Sequence, residues 1–258
     1  MKCEKEAYIL ILTTQDYLTG LKVTYRSLRR FSDKEVVVLV NKGISENIRE
    51  ELSKSGMRVI CVGDIQIPGG IFSEKMQADR WRHTLFKLRV FGRTEYDKLI
   101  YLDSDLLVCG NIDSLFEREG LCAVSDAEFF PQYERGGINA GVFCFRPSKE
   151  LEQTLIDTIP MVAKKMEVFG DQDVINAHFD TWESETAQHL SVAYNACFYQ
   201  LDEYNGLEPL VVHFILGSKP WMWSKGLVWM KGIKWLVQGK KKQWKYLKEY
   251  VCVLKSER

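Results

Sequence analysis

The sequence predicts an α/β domain, a mainly parallel sheet flanked by helices, that ends in a basic tail. Three observations predict it. Several short runs are apolar throughout, as in strands covered on both faces. Segments with helical spacing alternate with them. No internal repeat or linker breaks the pattern before about residue 220. A chain of 258 residues fits one large domain. It buries roughly three-quarters of its unfolded surface, so it needs no disulfide or metal staple to fold. Apolar residues are 46% and charged residues 27%, which excludes a disordered or low-complexity chain.

Tyr8–Thr13 is the first strand, a short apolar run. Asp16–Phe31 follows as a helix, with Leu18, Leu21, Tyr25 and Leu28 on one face. Glu35–Val40 (EVVVLV) is rich in β-branched residues and reads as a buried strand. Ser45–Ser55 is a helix opened by an N-cap serine and closed by Gly56. Arg58–Val62 is a third strand, and Pro68–Gly70 marks a loop. Arg80–Phe91 is a predicted helix. Lys98–Leu102 (KLIYL) is another buried strand and runs straight into Asp103-Ser104-Asp105. Leu121–Val124 and Gly141–Phe145 are further strands. Lys149–Lys165 is helical, a second helix starts near Asp171, and Val211–Leu216 is the last strand.

Lys+Arg and Asp+Glu each number 35, unlike the basic excess of a general nucleic-acid binder. The charge is uneven, however. Residues 219–258 hold eleven basic side chains against two acidic ones, a net +9 that the rest of the chain balances with −9. Seven cysteines contain no CxxC pair, so zinc and thioredoxin spacings are absent and reduced thiols are expected. The run Ala7–Leu12 is too short for a signal-peptide core, and no stretch of about eighteen apolar residues occurs. A location in the cytoplasm, or on the cytoplasmic face of a membrane, is expected.

Four clusters could carry chemistry. Asp103 and Asp105 follow a buried strand at its C-terminal end, where open α/β sheets bind ligands. Two carboxylates at i, i+2 in a turn can converge on one divalent cation, and hard oxygen ligands suit Mg²⁺ or Mn²⁺. An Asp-rich turn that merely caps the loop is the plain alternative. Asn139-Ala140-Gly141-Val142-Phe143 places an amide and two small residues before a strand, open to close approach or simply a junction. Gly170-Asp171-Gln172-Asp173 opens a helix, where carboxylates cap free N–H groups or face sugar hydroxyls. His213 follows an apolar strand and is either a core residue or a third metal ligand. Gly217 and Lys219 beyond it suit a turn whose backbone and ammonium meet phosphates.

In this order and spacing, the motifs resemble the glycogenin group of the family-eight retaining glycosyltransferases. The resemblance runs from about Leu12 to Trp221. It includes Leu12-Thr13-Thr14, Lys87-Leu88, Asp103-Ser104-Asp105, Asn111-Ile112-Asp113, Asn139 to Phe143, Gly170-Asp171-Gln172 and His213 to Trp221. It implies a GT-A, Rossmann-like fold over residues 1–222, a UDP-sugar donor and Mn²⁺, with Mg²⁺ as the alternative ion. By resemblance, Asp103, Asp105 and His213 ligate the metal, with Ser104 between the two carboxylates. Leu12, Thr14 and Tyr17 line the uridine pocket. Arg80, Lys87, Gly217 and Lys219 face the diphosphate. Asp126, Asn139, Ala140, Asp171 and Gln172 lie at the sugar. Breaking the bond from anomeric carbon to phosphate oxygen leaves negative charge on UDP, which the metal and Lys219 would neutralise. A carboxylate near the anomeric carbon favours the oxocarbenium ion, and Asp171 with Gln172 is the expected pair there. Two positions, and the segment Tyr194–Leu210, depart from the glycogenin pattern. Val168 replaces an acidic residue and Ala140 replaces a serine, so the donor sugar is left open. The resemblance also admits a homodimer, for which the sequence carries no interface signal.

Residues 223–258 form a Trp- and Lys-rich tail, expected to be helical. Its tryptophans and lysines alternate in a way that suits either packing on the domain or contact with an anionic membrane surface. Transfer of a hexose-type sugar to a glycan, lipid-linked or protein acceptor is the expected activity. The alternatives are an inactive UDP-sugar-binding protein and a haloacid-dehalogenase-like phosphatase, which also uses a strand followed by DxD.

Overall fold

The computed structural model describes residues 4–67, 70–78, 81–130, 136–204, 206–215 and 217–256. Arg80 and Leu216 lie outside the described residues. So does the Pro68-Gly69 part of the expected loop.

Strands β1 (Glu6–Leu12) and β2 (Glu35–Val40) are separated by helix α1 (Leu18–Leu28), and α2 (Glu46–Lys54) leads into β3 (Arg58–Cys61). Short helices α3 (Glu74–Ala78) and α4 (Trp81–Thr84) precede a 3₁₀ stretch, Leu85–Gly92. Then come β4 (Lys98–Leu102), β5 (Leu106–Val108), β6 (Cys122–Ser125), α5 (Asp126–Phe129) and β7 (Ile138–Phe145). Helices α6 (Lys149–Lys165) and α7 (Asp171–His178) follow, then β8 (Ala196–Cys197), β9 (Val211–His213), α8 (Lys225–Val237) and α9 (Lys241–Lys255). The main sheet has the order β3-β2-β1-β4-β7-β6. Strands β1 to β4 pair in parallel, and β7 runs antiparallel to both β4 and β6. Alternate residues feed the two faces. Tyr8, Leu10, Val36 and Ile100 enter one core, while Ala7, Ile9, Val37 and Leu99 enter the other. Both faces are covered, which is why these strands read as continuous apolar runs.

Several expectations shift. The first helix is divided: residues Gln15–Tyr17 form a 3₁₀ turn before α1. Ser45 occupies the N-cap of α2, but its hydroxyl makes no capping hydrogen bond. The expected helix to Phe91 is mostly 3₁₀. The Asn139 cluster lies inside β7 rather than before it. A second, three-stranded sheet of order β5-β9-β8 was not foreseen; its strands have two or three residues each, too short for periodicity to reveal. The tail folds as α8 and α9, and Trp235, Tyr246, Leu247 and Tyr250 join the core on the α1 side of the main sheet.

Helix α1 shapes the turn that follows β4. The Thr24 hydroxyl accepts from Leu106 N–H (3.2 Å) and the Ser27 hydroxyl accepts from Val108 N–H (3.0 Å). Two buried hydroxyls thus cover one edge of β5 and satisfy N–H groups that would otherwise be orphaned. Gly20 lets the helix come this close. A Cβ there would collide with the Ser104 carbonyl and lie 2.6 Å from Trp221 Cη2. Gly20→Ala therefore forces backbone to move. It is expected to destabilise the fold by about 1–3 kcal/mol through overpacking, measurable as a loss in urea unfolding free energy. An unchanged midpoint would show that the turn is more pliable than this packing implies.

Candidate active site

Strand β4 ends at the site. The Asp103 N–H donates to the Gly141 carbonyl at 2.9 Å, which anchors the turn to β7. The Tyr101 hydroxyl donates to Asp103 Oδ1 at 2.6 Å, and Lys87 Nζ lies 3.2 Å from the same oxygen. Lys87 also reaches Asp171 Oδ2 at 2.6 Å and the Ala140 carbonyl at 3.0 Å. The Ser104 hydroxyl donates to the Ile11 carbonyl at 2.9 Å, so Ser104 fastens the turn to β1. Asp105 is buried between His213 and Lys219: His213 Nε2 is 3.1 Å from Oδ1, and Lys219 Nζ donates to Oδ2 at 2.6 Å. Lys219 is held a second time by the Phe214 carbonyl at 2.9 Å.

The small sheet brings His213 here. Strands β5 and β9 pair antiparallel with Leu106 opposite His213, and the Phe214 N–H donates to the Asp105 carbonyl at 3.0 Å. A hydrogen-bond chain then sets the imidazole tautomer. The Gly141 N–H can only donate, and it meets Asn139 Oδ1 at 3.2 Å; Asn139 Nδ2 donates to the Asp126 carboxylate at 2.9 Å. The orientation of Asn139 is thus fixed at both ends. Asn195 Nδ2 donates to Asn139 Oδ1 at 2.7 Å, so Asn195 Oδ1 is the acceptor 3.0 Å from His213 Nδ1. Nδ1 therefore carries a hydrogen, and in the neutral ring Nε2 presents a lone pair. That lone pair, Asp103 and Asp105 offer three ligand atoms within 4.8 Å of one another. Three acceptors so close repel unless a cation lies among them. Two carboxylate oxygens and one imidazole nitrogen suit Mg²⁺, Mn²⁺ or a similar divalent ion, and a partner fixing the far nitrogen is how metal-binding histidines are oriented. The residues present therefore fit a metal.

The electrostatics agree. Burial alone would raise the Asp105 carboxyl, but the Lys219 ammonium on Oδ2 opposes it, and Asp105 is held well below the usual carboxylate range. Burial raises Asp103, Lys87 draws it back only in part, and the nearby Asp105 charge pushes it further up. Burial would lower Lys87, yet Asp103 and Asp171 keep it firmly protonated. Asp171–Lys87–Asp103 and Asp105–Lys219 are two ion-paired groups that meet at His213, three negative charges and two positive. The set carries one excess negative charge. A divalent cation would turn that into one excess positive charge, which suits an anionic ligand.

Most of the residues expected from sequence converge here. Helix α7 divides the carboxylates that the sequence left undecided. Asp173 accepts from the Gly170 N–H at 2.8 Å and caps the helix, while Asp171 turns inward to Lys87. Gln172 Oε1 accepts from the Ala140 N–H at 3.1 Å. Tyr17 packs edge-on against Trp221, ring centroids 5.7 Å apart, and Trp221 Nε1 donates to the Asp16 carbonyl at 3.0 Å. Thr14 is exposed beside this pair in sequence, Leu12 is buried in the core, and Gly217 has a left-handed φ of +60°. Asn195, Tyr101 and Thr84, whose hydroxyl accepts from the Asp171 N–H at 3.1 Å, were not foreseen. A signal existed for Tyr101 alone, since a tyrosine in a strand buried on both faces needs a partner for its hydroxyl.

The sequence model named Glycosyl transferase family 8 matches residues 8–224. Glycogenin-1 of Oryctolagus cuniculus is 30% identical over 229 residues, covering 85% of this chain and 66% of that protein. The UDP-glucuronate:xylan alpha-glucuronosyltransferase 1 of Arabidopsis thaliana is 29% identical over 232 residues, with 85% and 33% covered. This chain thus spans just under two thirds of the glycogenin and a third of the plant enzyme. Among solved structures, galactosyltransferase LgtC, in complex with donor and acceptor sugar analogs, superposes with a TM-score of 0.62 at 19% identity, covering 86% of this chain and 91% of LgtC. That likeness fixes the fold as GT-A, and with the family match it leaves no place for the phosphatase alternative. By its sequence over most of its length, the chain belongs to glycosyl transferase family 8.

Proposed function

We propose that the protein is a retaining glycosyltransferase that moves a hexose-type sugar from a UDP-sugar to a glycan, lipid-linked or protein acceptor, with Mn²⁺ as its metal. One observation carries the reading: the convergence of Asp103, Asp105 and a His213 whose free nitrogen is set by Asn195. The glycogenin and glucuronosyltransferase likenesses support the donor class.

Asp103, Asp105 and His213 would hold the metal. When bound, the ion supplies Lewis-acid neutralisation of the diphosphate as the bond to the sugar breaks. Lys219 adds an ammonium beside Asp105, kept protonated by that carboxylate against the effect of burial, and so supports departure of the anionic nucleotide. Asp171 and Gln172 are assigned to the sugar side. Gln172 spends its carbonyl oxygen on Ala140, which leaves its amide hydrogens to donate. Lys87 holds Asp171 in place through the 2.6 Å ion pair, and a carboxylate set there favours an oxocarbenium-like sugar. Leu12, Thr14 and Tyr17 are assigned to the uridine side, and Gly217 to the diphosphate.

Purified protein incubated with Mn²⁺ and a panel of UDP-sugars should release UDP from one of them without added acceptor. EDTA should abolish the release, and Asp105→Asn should lower it roughly a hundredfold or more. UDP binding with no turnover on any sugar, even after a glycan mixture is added, would favour an inactive binder. Asn195→Ala should raise the Mn²⁺ concentration for half-maximal rate by about 10–100-fold. At saturating Mn²⁺ the KM for the sugar donor should scarcely move. A loss of rate with unchanged Mn²⁺ dependence would mean that Asn195 does not orient His213.

A further inference from the structure

Helix α8 is apolar on its outward face as well as its inward one, unlike an ordinary surface helix. Its inward face is Val228, Gly232 and Trp235. Trp235 packs on Phe198 with ring centroids 5.3 Å apart, and the Trp244 ring rests on Gly232 so closely that no Cβ would fit. Its outward face holds Trp229, Met230, Ile233, Leu236 and Val237. Trp229 is 63% exposed, Ile233 58% and Val237 84%. At 100° per residue these five fall within an arc of roughly 120°. Exposed Lys225 and Lys234 border the arc, one on each side, and no acidic residue occurs in α8. Neither lysine forms an ion pair among the described residues. Exposed Lys241 follows at the start of α9.

We infer that this face of α8 docks on an anionic lipid bilayer. An apolar arc edged by lysines is the form in which a helix lies in the plane of a membrane interface. Trp, Ile and Val enter the headgroup boundary, and the lysine stems snorkel to lipid phosphates. Charge disfavours a second copy as the occupant. A two-fold contact would set lysine-edged faces against each other with no acid in the helix to pair with them. The helix lies flat and does not span, since no helix among the described residues is long and apolar enough to cross a membrane. The turn Pro220–Met222 joins it to Lys219. That turn is pinned by Trp221 Nε1 on the Asp16 carbonyl and by Trp223 Nε1 on the Ser218 hydroxyl at 2.7 Å. Docking of α8 therefore holds the site close to the lipid surface. The inference is independent of the donor or acceptor that the site accepts.

Flotation of the full chain with lipid vesicles tests it without reference to activity. The protein should float with phosphatidylcholine vesicles containing about 30 mol % phosphatidylglycerol and stay in solution with phosphatidylcholine alone. The Ile233→Glu/Val237→Glu variant and, separately, the Lys225→Glu/Lys234→Glu variant should each lower the partition at least tenfold. Their melting curves should stay unchanged, because all four side chains are exposed. Salt at about 0.5 M should weaken wild-type binding by screening. Absence of flotation with anionic vesicles would overturn the inference. So would equal flotation of both variants and the wild type, or a stable dimer that Ile233→Glu/Val237→Glu dissolves.

Discussion

The register between β5 and β9 is the constraint on which the site depends. Asp103 and Asp105 are two residues apart in the chain, and any tight turn would present them. His213 is more than a hundred residues away, and it reaches them because Leu106 stands opposite His213 in a two-strand pairing of three residues each. A slip of one residue would turn the imidazole to the other face of the small sheet. So short a ladder has little stability of its own. It is held by α1, whose Thr24 and Ser27 hydroxyls take up the N–H groups of β5, and by the core under α8 and α9. The tail helices thus serve the site indirectly, through the cluster that includes Trp235 and Tyr250.

Burying four charged side chains and half-burying a fifth, Asp103, at the end of a strand is costly, and the arrangement offsets the cost by pairing each with an opposite charge or a fixed dipole. Lys87 bridges Asp103 and Asp171 and also takes the Ala140 carbonyl. Lys219 bridges Asp105 and the Phe214 carbonyl. One lysine holds Asp103 and the other holds Asp105. They lock the carboxylates before any ligand arrives, which is what a preorganised electrostatic site requires. Gly141 completes the packing: a Cβ there would come within 2.5 Å of His213 Cε1.

Much of this was legible in the sequence, for identifiable reasons. Strands β2 and β4 are buried on both faces, so EVVVLV and KLIYL announce themselves. The DxD turn was legible because a polar pair breaks that apolar run abruptly. The candidate roles of Asp171 and Asp173 could not be separated, because a helix start gives the same sequence signal whether a carboxylate caps it or turns inward. Asn195 carried no signal. Its importance comes from lying between Asn139, 56 residues earlier, and His213, 18 residues later, and nothing local marks it. The α8 face was half legible. Tryptophan and lysine in alternation were plain, but which tryptophans point outward follows from the packing of Trp235 and Trp244.

The central claim is that Asp103, Asp105 and the Nε2 lone pair of His213 form one metal site. Electron paramagnetic resonance of free Mn²⁺, titrated with protein in the presence of UDP, reads this directly. The account predicts one Mn²⁺ taken up per chain by the wild type, and loss of that uptake in His213→Leu with the fold retained by circular dichroism. Full uptake by His213→Leu, or none by the wild type, would contradict it.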